Sequence, residues 1–255
     1  MPTIIACFKW VIDEAYIRRG PSGNLDFSSV DYKIGEYDRN AIEEAVRLKE
    51  SLGGSAIAVT AGVPEATKGI KDALSRGCDQ AYFLADASFG DLEPSQTAAI
   101  LAKAIRSRIQ SYDLIICGEG SSDLYAQQVG PRLAEILGIP CISFVQKLSL
   151  DAGKLSAERR VEEGIEVIAA PLPALVTVLP DVNVPRIPGV KDTLMASRKP
   201  VIMIKKDALA PVVEPHLRTI SLTAARMERT CEKFGTDASE ITRFVGSLRK
   251  KGVIG

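Results

Sequence analysis

Asp113-Leu114-Ile115-Ile116-Cys117-Gly118-Glu119-Gly120-Ser121-Ser122-Asp123-Leu124-Tyr125-Ala126-Gln127-Gln128-Val129-Gly130-Pro131 joins three kinds of local pattern in nineteen residues. Its opening is an apolar run that ends at a glycine, the pattern of a buried strand. A loop of small residues follows, Gly118 to Asp123, and then a helix whose first turn contains Pro131. Proline suits that turn because first-turn N–H groups have no intrahelical partners. Strand, small-residue loop and helix together make the repeating unit of an α/β sheet.

The same alternation runs outward from this stretch. Strand candidates are residues 3–9, 55–61, 80–85, 113–118 and 141–145. Helix candidates lie near 39–52, 64–76, 94–110 and 128–138. In the first helix Ile42, Ala45, Val46 and Leu48 make one apolar stripe, and charged residues fill the rest. Asp38 or Asn40 caps its start, with Glu43 completing a capping box in the second case. Alternation at this spacing implies right-handed crossovers and a mostly parallel, doubly wound sheet covered on both faces.

After residue 145 the pattern changes. Residues 147–150 and 155–169 read as strands with turns at 151–154 and 163–164, a small antiparallel extension. Ala174 to Leu179 reads as a further buried strand. Pro180, Pro185 and Pro188 then impose a loop, because proline fixes φ and lacks an N–H. The tail beyond 205 carries Pro211 and Pro215 and a charged helix candidate at about 237–250. It has too few apolar residues for its own core. The expected division is an α/β domain over 1–205 and a C-terminal arm over 206–255, which packs on something else or stays disordered.

Composition excludes several classes. Lysine plus arginine equals aspartate plus glutamate at 32 each, so the formal net charge is zero. Nucleic-acid binders usually show a basic excess, and anionic membranes attract one, so neither partner is expected. Met1 leads directly into an apolar run without a basic segment, and no apolar stretch approaches the roughly 20 residues of a membrane span. The five cysteines are scattered and form no CxxC pair, against a zinc site or a redox dithiol. A cytoplasmic setting is the expectation. His216 is the only histidine, so a histidine-based triad or metal cluster cannot be built.

The Gly118–Pro131 stretch also carries the candidate chemistry. Glycines allow close backbone approach, Ser121 and Ser122 bring hydroxyls, and Gln127 and Gln128 bring neutral donors. Free amides around Ala126–Gly130 at a helix start form a seat for a phosphate. The stretch is neither a Walker A loop nor the dinucleotide fingerprint, since Asp123 stands where a third glycine belongs. A plain strand-to-helix turn is the alternative reading. Lys9, Ala61-Gly62 and Gly118 each fall at the end of a strand candidate. In a parallel sheet these ends share one rim, where ligands bind.

Several blocks resemble the beta subunits of electron transfer flavoproteins: Cys7-Phe8-Lys9-Trp10-Val11, Asp38 through Glu50, Ala73 through Asp79, Gly118 through Pro131, Pro171 through Val178, and Asn183-Val184-Pro185-Arg186. They recur in family order over roughly residues 3–204. The wording Ser121-Ser122-Asp123-Leu124-Tyr125-Ala126-Gln127-Gln128-Val129-Gly130 is most similar to the Fix-type branch associated with carnitine or other acyl-CoA metabolism.

The resemblance implies an electron carrier without bond-making chemistry of its own, paired with an alpha subunit that holds the redox-active FAD. This chain would hold AMP, or a second FAD at the same place. Tyr125, bulky where a pyrophosphate needs room, favours AMP. The implied cofactor contacts are Cys7, Lys9, Asp38, Ala61, Gly62, Gly118, Gly120, Ser121, Ser122, Asp123, Ala126, Gln127, Gln128 and Val129, with Tyr37 approaching the partner's flavin. Residues Pro185–Ala196 would grip a flavin dehydrogenase such as an acyl-CoA dehydrogenase, through an apolar anchor at Val190 or Leu194, with Arg198 and Lys199 orienting the docking. A free-standing adenine-nucleotide-binding module is the alternative. It would not need the hairpins of 147–169 or the proline-rich loop of 180–200.

Overall fold

Nine strands of the computed structural model form one sheet: β1 (Thr3–Cys7), β2 (Ser55–Gly62), β3 (Gln80–Ala85), β4 (Leu114–Gly118), β5 (Cys141–Asp151), β6 (Lys154–Val161), β7 (Gly164–Pro171), β8 (Ala174–Val178) and β9 (Val201–Lys205). The structure describes residues 1–20, 24–151, 153–209, 214–217, 219–224 and 231–255. Ala152 of the expected first turn and Pro211 of the expected tail lie outside them.

The strand order is β7-β6-β5-β8-β4-β1-β2-β3-β9. Every pairing from β5 to β9 across the middle is parallel, and β5, β6 and β7 pair antiparallel. The sheet is therefore mostly parallel with a small antiparallel extension, as the alternation of strand and helix patterns implies.

Strand side chains alternate between faces, and the two faces feed separate layers. Ile4 and Ala6 of β1 pack with Ile42, Ala45 and Val46 of α1 (Glu36–Leu52) and with Ile70 and Leu74 of α2 (Thr67–Ser75). Ile5 and Cys7 pack with Leu101 and Ile105 of α3 (Pro94–Arg108) and Leu133 of α4 (Val129–Leu137). Helices cover both faces, which makes the fold doubly wound α/β.

Three local expectations are corrected. The first helix starts at Glu36, with Gly35 before it and no side-chain cap. Asp38 and Asn40 are not caps but buried helix residues with distant partners. The Asp38 carboxylate accepts the Lys9 amide at 2.8 Å, and the Asn40 amide donates to the carbonyls of Pro180 and Asn183. The first strand stops at Cys7, two residues before Lys9, whose N–H turns to Asp38 instead of the sheet. Within the proline-imposed loop a short helix forms, α5 (Val190–Ala196).

By contacts the described chain divides into two units. The first comprises Met1–Arg18 and Asp26–Ile220, and the second Arg19–Leu25 with Ser221–Gly255. Leu209, beyond the expected boundary at 205, is fully buried in the first unit's core. In the second, Asp237 caps α6 (Ala238–Lys250) by accepting the amides of Ser239 and Glu240, and Phe234 lies edge-on to Phe244 with ring centroids 5.3 Å apart. None of the residues of α6 is buried.

Candidate functional site

The topology marks the place. From β1 the chain winds through α1 to β2 and through α2 to β3, then returns to the other side of β1 with β4. Strand order reverses between β1 and β4, so the loops after them part and leave a crevice at their C-terminal ends. A groove partly open to solvent occupies this crevice.

Cys7, Lys9, Asp38, Ala61, Gly118, Gly120, Ser121, Ala126, Gln127, Gln128 and Val129 line it. These come from four separate chain segments, brought together by the sheet. Tyr37, Gly62, Ser122 and Asp123 do not line it. Ser122 turns its Oγ inward, about 3.7 Å from where a Cβ on Gly35 would stand, and that oxygen is buried with no hydrogen-bond partner. Asp123 stands behind Lys9, Oδ2 to Nζ 2.5 Å. Tyr37 packs on Tyr125 with ring centroids 5.4 Å apart.

The glycines are needed for space. A Cβ on Gly118 would meet Asp38 Oδ1 at 2.6 Å and the Tyr37 carbonyl carbon at 2.9 Å. A Cβ on Gly130 would meet Thr177 Cγ2 at 2.4 Å. The loop between β4 and α4 folds back on itself, with the Tyr125 amide donating to the Ser121 carbonyl at 2.9 Å. Tyr125 and Gln127 adopt left-handed backbone, φ 47 and 56. Such residues cost of order 1–3 kcal/mol each and persist only where the surroundings hold them.

The groove's electrostatics are nearly closed on themselves. Burial pushes the Asp38 carboxyl up to about 7, against the lowering effect of the Lys9 and Gly118 amides. Burial also works to raise Asp123, but the hydrogen bonds from Lys9 and Ser121 outweigh it and hold the carboxyl below its ordinary range. The Tyr125 hydroxyl donates to Glu119 Oε1, and this bond together with burial pushes the phenol up to about 12. Among the described residues lining the groove, Lys9 is the one cationic side chain, and Asp123 already answers it.

Sequence reasoning missed part of the wall: Phe8, Glu119, Leu124 and the Phe89–Leu101 region, where Phe89, Gly90, Leu92, Pro94, Thr97 and Leu101 contribute. The rule that placed Lys9, Gly62 and Gly118 at one rim also applies to the loop after the third strand, and would have pointed to 86–94. Glu119 offered no signal beyond standing between two glycines.

Far along the chain, the 184–196 segment is apolar and exposed: Val184 is 90% accessible, Ile187 93%, Val190 81% and Leu194 68%. Its foot is fastened. Arg186 bonds Glu43 Oε2 at 2.8 Å and Glu50 Oε1 at 2.8 Å, and Asn183 donates to Glu44 at 2.9 Å. Arg198 is exposed, whereas Lys199 is turned inward, donating to the carbonyls of Leu74 (2.8 Å) and Cys78 (2.7 Å). Burial lowers the Lys199 pKa. Arg198 thus carries its charge on the surface, whereas the Lys199 ammonium is bound inside the chain.

No helix of the described residues is long and apolar enough to cross a membrane. Residues 23–209 match the model of the electron transfer flavoprotein domain. That span takes in α1 and every strand from β2 to β9, with the whole β4–α4 loop. A match over more than half the chain, on a doubly wound sheet with its groove at the reversal of strand order, means that the chain belongs to the electron transfer flavoprotein domain family.

Proposed function

We propose that the chain is the beta-type subunit of a heterodimeric electron transfer flavoprotein, holding an adenine nucleotide in the groove between β1 and β4. The observation that carries this reading is the composition of that groove. Close-approach glycines, Gln127, Gln128 and the start of α4 gather at the strand-order reversal.

AMP is the favoured occupant over a second FAD. Tyr125 occupies the space beside Gly120, where a Cβ would meet its Cδ2 at 2.8 Å, and a pyrophosphate needs such close backbone approach. FAD, held mainly by an alpha partner, supplies the electron chemistry. This chain's residues position the adenylate and the partners, without bond-making of their own. Tyr37, half-buried at the start of α1, faces the partner's flavin in this reading. The exposed segment around Val190 and Leu194, with Arg198 beside it, docks a flavin dehydrogenase of the acyl-CoA dehydrogenase kind, and charge acts there mostly on the association rate. The portion beyond the buried Leu209 serves as an arm on the partner subunit, and the setting is cytoplasmic.

Mass spectrometry of nucleotide extracted from the co-purified complex tests the reading. AMP together with FAD is the expected result. A chain that purifies as a stable monomer, without adenylate and without a flavin-bearing partner, overturns it and favours a free-standing module.

A further inference from the structure

We infer that Glu119 sets the charge of the ligand that the groove accepts, admitting one phosphate group and turning away a second; this rests on the nucleotide reading above. Glu119 is among the residues that line the groove, adjoining Gly118 and Gly120 in the β4–α4 loop, and is only 7% accessible. Its carboxylate is also fixed in place. The Tyr125 hydroxyl donates to Oε1, and the Tyr125 ring is wedged between Tyr37 and the Cα of Gly120. Left-handed backbone at Tyr125, φ 47, shows how firmly the loop is held in this arrangement.

The charges around it are already committed. Among the described residues lining the groove the only cation is Lys9, and it sits 2.5 Å from Asp123. Asp38 adds a second carboxyl to the wall. One phosphate can be met by neutral donors, namely the loop amides, Gln127 and Gln128. A second phosphate adds roughly one more negative charge beside a carboxylate that cannot swing away, with no unpaired cation to answer it. Like charges in a partly buried cleft repel strongly enough to shift affinity by about tenfold.

The test is equilibrium dialysis of labelled AMP and ADP against the full chain, purified with any subunit that accompanies it and stripped of nucleotide. Wild type is compared with Glu119→Gln, which keeps the shape and still accepts the Tyr125 hydroxyl. The wild-type protein is expected to bind AMP about tenfold or more tightly than ADP, and the variant to bring that ratio down to about two. Equal affinities in wild type, or an unchanged ratio in the variant, overturn the role of Glu119 while leaving the nucleotide reading intact. No AMP binding by wild type overturns both. Should Glu119→Gln fail to fold, Glu119→Ala is measured the same way, and the wild-type ratio alone still decides against the proposal if it is near one.

Discussion

The groove between β1 and β4 and the 184–196 segment are both fastened to α1, yet they are opposites in kind. At the helix's start, Asp38 accepts the Lys9 amide and lines a concave groove whose charges are paired inside the molecule. Further along, Asn40, Glu43, Glu44 and Glu50 grip Asn183 and Arg186, and beyond that grip apolar side chains stand in solvent. The groove satisfies itself and leaves shape and neutral donors for a small ligand. The segment satisfies only its foot and leaves its tip unsatisfied, which suits a protein surface. One helix thus lends polar side chains both to the groove and to the foot of the exposed segment.

Substitutions at the groove and at the segment should act differently. The largest effect is expected at Asp38. Its folded-state pKa lies near 7 against 3.8 for the free side chain, so between those values the native state binds more protons than the unfolded one. Stability therefore falls as pH rises from about 4 to about 7 and is level above, by roughly 4 kcal/mol at full effect. Glu44, also raised by burial, slopes in the same direction. Asp38→Asn should lose this slope, so that its stability changes less with pH than that of wild type across the window in urea titrations at stepped pH. Parallel curves would mean that Asp38 is ionised throughout.

Next comes Gly118→Ala, whose methyl group would press on Asp38 and on the Tyr37 backbone. Overpacking of this kind costs about 1–3 kcal/mol, and calorimetry should show the midpoint falling while nucleotide retention drops. Arg186→Ala should cost about 2 kcal/mol, because Glu43 is left as a buried carboxylate without its guanidinium. Hydrogen exchange should rise in 183–196 and not in the β4–α4 loop. Protection lost equally in both would join the two regions into one cooperative piece.

The smallest stability change belongs to Val190→Ala. The side chain is 81% accessible, so denaturation should move by less than about 0.5 kcal/mol. In the proposed complex, stopped-flow reduction by a dehydrogenase should nevertheless slow several-fold with flavin content unchanged. Equal rates would remove Val190 from the docking surface and leave Leu194 as the anchor.

Much of this architecture is legible in the order of residues. The strand and helix periods place β1 to β4, β8 and α1 to α4 to within three residues, since each is a local pattern of apolar side chains. The α6 start is legible too, as Asp237 caps it through neighbours two and three residues on. The start of α1 is not. Asp38 and Asn40 look like caps locally, but their partners lie 29 and 143 positions away. Lys199 misleads in the same way: an exposed-looking lysine after a loop is drawn onto carbonyls more than 120 positions back.

Amino-acid order alone therefore decided the alternation of strand and helix, the parallel core, the antiparallel addition after 145 and the small-residue loop after β4, because spacing and turn chemistry act over a few residues. Only the folded chain decided which charges remain available. Lys9 meets Asp123 across 114 positions and Arg186 meets Glu43 across 143, so their pairing follows from how the sheet stacks its strands. Electrostatic energy depends on distance in space, and no pattern along the chain contains that distance.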